Sequence, residues 1–333
     1  MKVSSPARRK SCGVFYFALL ITSWLPIGHS QPAEPYASRD QNPLVAIYGF
    51  PLPVNARLLP ANESQWRLTL NISNTVNIEE TAALQLRVDA ETHQLNLLYA
   101  YSVSDSWMLR LQGSITQLGA GFLDRWINDY HNLFGLKEGD RPYVDVNQFQ
   151  IYVRSQSTTL LNLQAPQSGL SDLQIQLGTQ LQKTANNATS LWISVKLPSG
   201  DSVKLTGSGA TDFALWLSTQ QQLESNTWLY ATLGSLYMSD TDVLPSLHNH
   251  NAEFGNLGLS YSYNDWLQLK AQLDVHSTVY NTQLDFLDSA VELTFGGNIK
   301  VNAFNEIDLA VSEDIKYGSS PDVTFNISWI WRY

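Results

Sequence analysis

Apolar and polar side chains alternate along most of this chain, and the alternation is sharpest at its C-terminal end. Phe325, Ile327, Trp329, Trp331 and Tyr333 occupy every second position, with Asn326, Ser328, Ile330 and Arg332 between them. Successive strand side chains point to opposite faces, so one face of this segment is aromatic and the other mostly polar. At the edge of a water-soluble sheet such a face would invite aggregation, although the last strand of a secreted β-sandwich is the soluble alternative. In a membrane β-barrel the same face is a lipid-facing stripe that ends in an interfacial aromatic girdle.

Period-2 segments recur from Gln65 onward. Trp66, Leu68, Leu70 and Ile72 form one stripe, Leu84, Leu86 and Val88 a second, and Leu95, Leu97, Tyr99 and Tyr101 a third. Later stripes include Trp107/Leu109/Leu111, Leu173/Ile175/Leu177, Leu191/Ile193/Val195, Leu257/Leu259/Tyr261, Leu267/Leu269/Leu273/Val275, Val291/Leu293/Phe295 and Ile307/Leu309/Val311. Short connections at 104–106, 183–188, 223–226, 264–265 and 301–304 alternate with longer ones at 119–147, 198–208, 239–252, 278–288 and 314–320. Outer-membrane barrels place tight turns on the periplasmic side and long loops outside. The predicted fold is therefore all-β, an antiparallel transmembrane β-barrel over 64–333 with about fourteen strands, twelve to sixteen being compatible. Residues 146–165 read as either one strand or two.

Two segments break the pattern. In 121–134, Phe122, Trp126, Tyr130 and Phe134 recur at helical spacing, which predicts one short loop helix. That helix either lies on the barrel rim or folds inward as a gate. Residues 31–63 hold Pro32, Pro35, Pro43, Pro51, Pro53 and Pro60, too many for a regular element. They read as a periplasmic arm that can tuck into the barrel mouth, with a short strand offered around 44–50.

The N-terminus supplies an export signal. Lys2, Arg8, Arg9 and Lys10 precede an apolar stretch over 14–27, and Gly28-His29-Ser30 suits cleavage near Ser30. No other stretch is long and apolar enough for a spanning helix. The only cysteine is Cys12, inside that signal, so no disulfide is expected in the exported chain. Aromatics make up 11% of residues and charged residues 15%, well below the roughly 25% charge of ordinary soluble proteins. Loss of the four basic signal residues moves the net charge from −10 to −14, which argues against a nucleic-acid partner.

With apolar faces toward lipid, parity assigns the alternate side chains to the lumen. Candidates there are Arg67, Arg87, Asp89, Arg110, Lys270, Gln272, Asp274, His276, Glu292, Asp308 and Arg332. On the gate reading, Asp124 and His131 of the helix face Lys270, Asp274 and His276 and form a polar constriction. Asp274-x-His276 also offers a base–orienter pair for a lipid hydrolase, but no serine sits in a Gly-x-Ser-x-Gly turn to complete it. His248-Asn249-His250 is too sparse for a metal site, and no cofactor motif is present.

Several phrases resemble a family of bacterial outer-membrane proteins classed as a domain of unknown function. They are residues 38–44 (SRDQNPL), 48–51 (YGFP), 89–92 (DAET), 121–124 (GFLD) with His131 and 134–136 (FGL), 169–172 (GLSD), 196–201 (KLPSGD), 207–209 (GSG) with Asp212, 272–276 (QLDVH) and 313–314 (ED). Asp40, Ala90 and Ser171 depart from that family's pattern. The Gly-x-x-Asp and Leu-Pro-x-Gly-Asp phrases are also similar to outer-membrane proteins linked to phenol degradation. The resemblance implies a barrel and an uptake channel, and carries over no catalytic residue. The expected function is passive passage of a small molecule. The alternative is a non-enzymatic envelope barrel that binds lipopolysaccharide or a partner, and an outer-membrane lipid-modifying enzyme ranks last. Expected partners are outer-membrane lipids and the barrel-assembly machinery, which would recognise the terminal strand through Phe325, Ile327, Trp329, Trp331 and Tyr333.

Overall fold

The computed structural model describes residues 34–134, 140–316 and 318–333, and the side chains of 130–134 are outside that description. The expected signal at 1–30, the expected cleavage near Ser30 and the His131 side chain therefore lie outside the described residues. Among the described residues fifteen strands form one sheet, and twelve of them close into a ring. These are β1 (Ser64–Glu80), β2 (Leu84–Ser104) and β3 (Trp107–Gly119), followed by β7 (Leu173–Lys183), β8 (Asn187–Leu197), β9 (Asp212–Glu224), β10 (Thr227–Met238), β11 (Asn251–Ser262), β12 (Leu267–His276), β13 (Ala290–Lys300), β14 (Asn305–Asp314) and β15 (Val323–Arg332). Each pairs antiparallel with its neighbours, and β15 closes on β1 with Trp66 opposite Trp331 and Leu70 opposite Ile327. Twelve lies within the expected range. The surplus strands are β4 (Gln150–Ser155), β5 (Thr158–Leu163) and β6 (Gln167–Leu170), so 146–165 is two strands. They attach to β2 and β3 beyond the ring.

The outward stripes are those the alternation predicts. Leu95, Leu111, Ile175, Ile193, Leu257, Leu269, Leu309 and Ile327 are all exposed on the outer wall. Segments 209–222 and 227–238 turn Phe213, Leu215, Leu217 and Leu233 outward and bury Trp216, Trp228 and Tyr230 inside. At the end carrying the short turns, Trp66 contacts Tyr99 at 4.5 Å and Trp331 at 6.1 Å, which makes an aromatic band where the terminal strand closes the ring. Three inward aromatics have a glycine as cross-strand partner: Gly178 faces Trp192, Gly234 faces Trp216 and Gly258 faces Tyr230. A Cβ on any of these glycines would sit 2.1–2.6 Å from the partner's side chain. The missing side chains are what let the rings lie flat against the wall.

One stripe is inverted. β2 is a single strand of 21 residues, paired with β1 without a register shift. Its parity therefore runs unbroken from Leu97 and Leu95, which face lipid, to Asp89 and Arg87. Arg87 and Asp89 consequently point away from the lumen, into a cleft beneath Pro142–Asp145, and the expectation that they line it is corrected. Leu84, Leu86 and Val88 face inward and join a buried cluster with Leu44, Ile151, Phe286 and Leu287. Beyond the membrane the apolar side of a strand follows the protein core rather than the lipid, so the pattern reverses.

Helix α1 (Asp124–Phe134) takes the rim position rather than the gate. Ile127 packs with Ile72, Val323 and Phe325 on the outer wall, and Trp126 meets Phe325 edge-on at 5.4 Å. Asp124 is thus not a constriction residue. It is buried outside the ring, accepting from Asn74 Nδ2 at 2.9 Å and pairing with Arg141 at 3.3 Å. Arg141 also donates to Asn74 and pairs with Asp322 at 2.6 Å.

Two outcomes follow from this architecture. The protein extracted in detergent should show β-rich circular dichroism and heat-modifiable gel mobility, whereas a monomer soluble without detergent would contradict the barrel. Arg141→Ala leaves the buried Asp124 without its cation, which costs roughly 3–5 kcal/mol for a fully buried pair and less here because Asp322 keeps contact with water. Trypsin should then cut at Arg125 while the heat-modifiable shift persists, and unchanged resistance at Arg125 would contradict the role of the Asp124–Arg141 pair in holding the helix to the wall.

Candidate functional site

The proline-rich arm does not stay in the barrel mouth. It runs inside the ring, entering at the short-turn end, rising beside β12, turning over at 43–48 and descending beside β7 and β8 to reach β1. The 44–50 segment that offered a strand is a series of turns instead. Proline removes backbone donors and resists regular pairing, so the arm is held mainly by side chains of the wall.

The rising half is in register with β12. Glu34, Tyr36, Ser38 and Asp40 meet Lys270, Gln272, Asp274 and His276, each pair 236 residues apart. Lys270 Nζ donates to Glu34 O at 2.8 Å, and Tyr36 N donates to Gln272 Oε1 at 3.0 Å. Ser38 Oγ donates to Asp274 Oδ2 at 2.9 Å, and Asp40 Oδ2 lies 3.0 Å from His276 Nε2. Extended chain and strand share a two-residue repeat, so alternate side chains of one face alternate groups of the other. At the entry, Glu34 pairs with Arg67 and, at 2.8 Å, with Arg332. Lys270 carries a second bond to Asp308 at 2.8 Å, with both side chains fully buried, and its ammonium stands 3.9 Å from the Tyr36 ring centroid.

The turnover is locked from several sides. Arg39 donates to Phe50 O at 2.9 Å and Ala46 O at 3.1 Å, tying the rising and descending halves together. Asp40 and Asn42 each accept a backbone N–H two residues on, and Asn42 Nδ2 donates to Phe286 O at 2.8 Å. Opposite, Lys196 Nζ donates to Ile47 O at 3.2 Å and pairs with Asp172 at 2.6 Å and Asp212 at 3.1 Å. Gly49 N donates to Asp212 Oδ2 at 2.8 Å, and a Cβ on Gly49 would sit 2.9 Å from the Asp212 Cβ. Tyr48 hydrogen-bonds Tyr280 at 3.2 Å and stacks on His248 at 5.4 Å.

The descending half is apolar. Phe50, Leu52, Val54 and Leu58 are buried in one cluster with Trp192, Trp216, Leu236 and Phe254 of the wall. Fully burying each such side chain contributes roughly 1.5–3 kcal/mol. The lumen is therefore two-sided, polar from β12 round to β1 and set with aromatic and aliphatic side chains among polar ones from β8 to β11, and the apolar descending half of the arm packs on the latter. In the outer half one cavity between arm and wall measures about 40 Å³, bounded by Asp274, His276, Glu292, Trp216 and Phe254. That holds a few waters.

Among the residues predicted from parity, Arg110, Lys270, Asp274, His276, Glu292 and Asp308 do face the lumen. The structure brings Lys270 to Asp308, and turns Asp274 and His276 separately toward the arm rather than toward each other. Glu34, Ser38, Arg39 and Asp40 on the arm, and Asp172, Lys196, Ser208 and Asp212 on the far wall, were not singled out as lumen residues. Most of them sit inside the phrases that carry the family resemblance.

Among solved structures the chain is similar to the COG4313 outer membrane channel from Pseudomonas putida F1, at 13% identity and a TM-score of 0.57, covering 84% of this chain and 99% of that one. It is more loosely similar to the CymD monoaromatic hydrocarbon channel (10% identity, TM-score 0.42, 83% and 89% covered) and to the NanC porin (8% identity, TM-score 0.45, 80% and 98% covered). The first of these likenesses shows the fold, that of an outer-membrane barrel. No curated protein matches the sequence. Residues 27–333 match the family described as protein of unknown function (DUF3187), and with nearly the whole chain inside that match the protein belongs to this family.

Proposed function

We propose that the protein is a passive outer-membrane channel for a small molecule, held closed by its own N-terminal arm, which must shift for solute to pass. The observation that carries this reading is the double pass of residues 34–60 through a twelve-stranded ring. About eight strands make a barrel that its own side chains fill, and twelve enclose a wider lumen. Here that lumen is filled by a segment fixed through side-chain bonds, not by an extra strand in the sheet. A segment held this way can move without breaking the wall. The fold shared with the COG4313 outer membrane channel supports the same reading. The apolar wall of Trp192, Trp216 and Phe254 behind the descending arm suits a small hydrophobic or aromatic solute better than a sugar.

Residues 1–30 serve in this scheme as the export signal, cleaved near Ser30, and the terminal strand is the segment that the assembly machinery recognises. Lipopolysaccharide surrounds the outer half of the wall. A non-enzymatic role is supported by the use of Asp274 and His276, the pair considered for catalysis, to hold Ser38 and Asp40 of the arm.

In planar bilayers the intact barrel should show little or no current, and deletion of 34–58 should give sustained conductance. A deletion variant that keeps its heat-modifiable fold yet carries no current would favour an envelope barrel that binds lipopolysaccharide or a partner. Paired substitutions Ser38→Cys and Asp274→Cys, placed where the native side chains are 2.9 Å apart, should abolish solute flux through the full-length barrel on oxidation and restore it on reduction. Flux unaffected by the cross-link would show that solute does not depend on movement of the arm.

A further inference from the structure

The periplasmic half of the lumen keeps a cavity of about 500 Å³ beside the descending arm. One side is apolar, formed by Val54 and Leu58 of the arm with Leu98, Ala100 and Met108 of β2 and β3. Arg57, Arg67, Arg110, Lys300 and Arg332 reach the cavity, against the carboxylates Glu34, Glu63 and Glu306. A local excess of positive charge is notable in a chain with a formal net charge of −10.

Several of these cations are already satisfied. Arg67 and Arg332 share Glu34, and Arg332 also pairs with Glu306 at 2.8 Å. Arg57 donates to the backbone carbonyls of Thr184 and Ala185. Arg110 differs. It is only 6% exposed, its Nη1 is buried without a hydrogen-bond partner, and among the described residues no carboxylate forms a salt bridge with it. Its guanidinium carbon lies 5.6 Å from the Trp192 ring centroid, a contact that attracts the cation but supplies it no carboxylate. A buried guanidinium in this state is costly unless an anion completes it, and Glu34 is committed to two other arginines.

We propose that this cavity binds a small organic carboxylate with an apolar body. The carboxylate would pair with the Arg110 guanidinium, unpartnered at Nη1, whose planar fork matches its two oxygens, and the body would lie against Leu58, Leu98 and Met108. A bare inorganic anion would satisfy the arginine but leave the apolar side uncovered. The proposal deepens the channel reading by naming a ligand class for the same lumen. Binding is nevertheless read on the closed barrel without any flux, so a barrel that never conducts leaves this test intact, and one that conducts without binding refutes this proposal alone.

The experiment titrates the full-length barrel, folded in detergent, with 4-fluorobenzoate and follows the ligand's fluorine resonance. Saturable binding is expected, with unlabelled benzoate competing, and with acetate and benzyl alcohol each competing far less. Arg110→Gln should weaken binding by about tenfold or more, the usual loss for one charge-assisted hydrogen bond, and Arg110→Lys should fall between. Heat-modifiable mobility of both variants confirms that the barrel is intact. Absence of saturable binding to the wild-type barrel, equal binding by a folded Arg110→Gln variant, or acetate competing as well as benzoate would each overturn the proposal.

Discussion

A ring of twelve strands cannot fill its own interior, and the rest of this structure depends on how that interior is covered. The wall presents a polar arc and an arc set with aromatic and aliphatic side chains. The arm resolves both at once because it passes twice. Glu34, Tyr36, Ser38 and Asp40 meet hydrogen-bonding groups of β12 on the way up, and Phe50, Leu52, Val54 and Leu58 meet Trp192, Trp216 and Phe254 on the way down. Arg39 joins the two passes through the carbonyls of Ala46 in the turnover and Phe50 on the descending side. The ion pairs inside the ring are similarly shared between wall and arm. Glu34 sits between Arg67 and Arg332, and withdrawing it would leave Arg67 without a carboxylate in a confined space and Arg332 with Glu306 alone.

The wall was legible in the sequence because lipid imposes one rule on every ring strand: each outward side chain at membrane depth must be apolar. That rule placed Arg110, Lys270, Asp274, His276, Glu292 and Asp308 inside without any knowledge of pairing. It failed where its physical cause ends. In β2 the residues beyond the bilayer pack on protein on both faces, so Leu84, Leu86 and Val88 point inward and Arg87 and Asp89 point out. The same boundary explains α1, whose apolar side, Trp126 and Ile127, covers the outer wall and leaves Asp124 tied to Arg141.

The arm was legible only as an irregular segment. Prolines announce what it cannot be, but its contacts follow a register 236 residues away that no local pattern encodes. The glycine–aromatic pairs are hidden for the same reason, since Gly178 gains its meaning only once Trp192 is known to lie opposite. The strongest available signal was the set of phrases shared with the family. Residues 38–44, 48–51, 169–172, 196–201 and 207–209 with Asp212 are scattered in sequence, yet Arg39, Asn42, Gly49, Asp172, Lys196, Ser208 and Asp212 converge on the arm's turnover and the wall that grips it. A segment retained only as a tether would need none of these partners.

The central claim is that the arm occupies the lumen of the assembled barrel, and thiol accessibility at Ser38 reads it most directly. With Ser38→Cys as the only cysteine of the exported chain, intact cells and everted envelopes are treated with a membrane-impermeant maleimide. A cysteine at Ser225, in an exposed short turn, serves as the reference. The account predicts that position 38 stays unlabelled from both sides while position 225 reacts from the periplasmic side. Labelling at 38 as fast as at 225 would place the arm outside the ring and contradict the account.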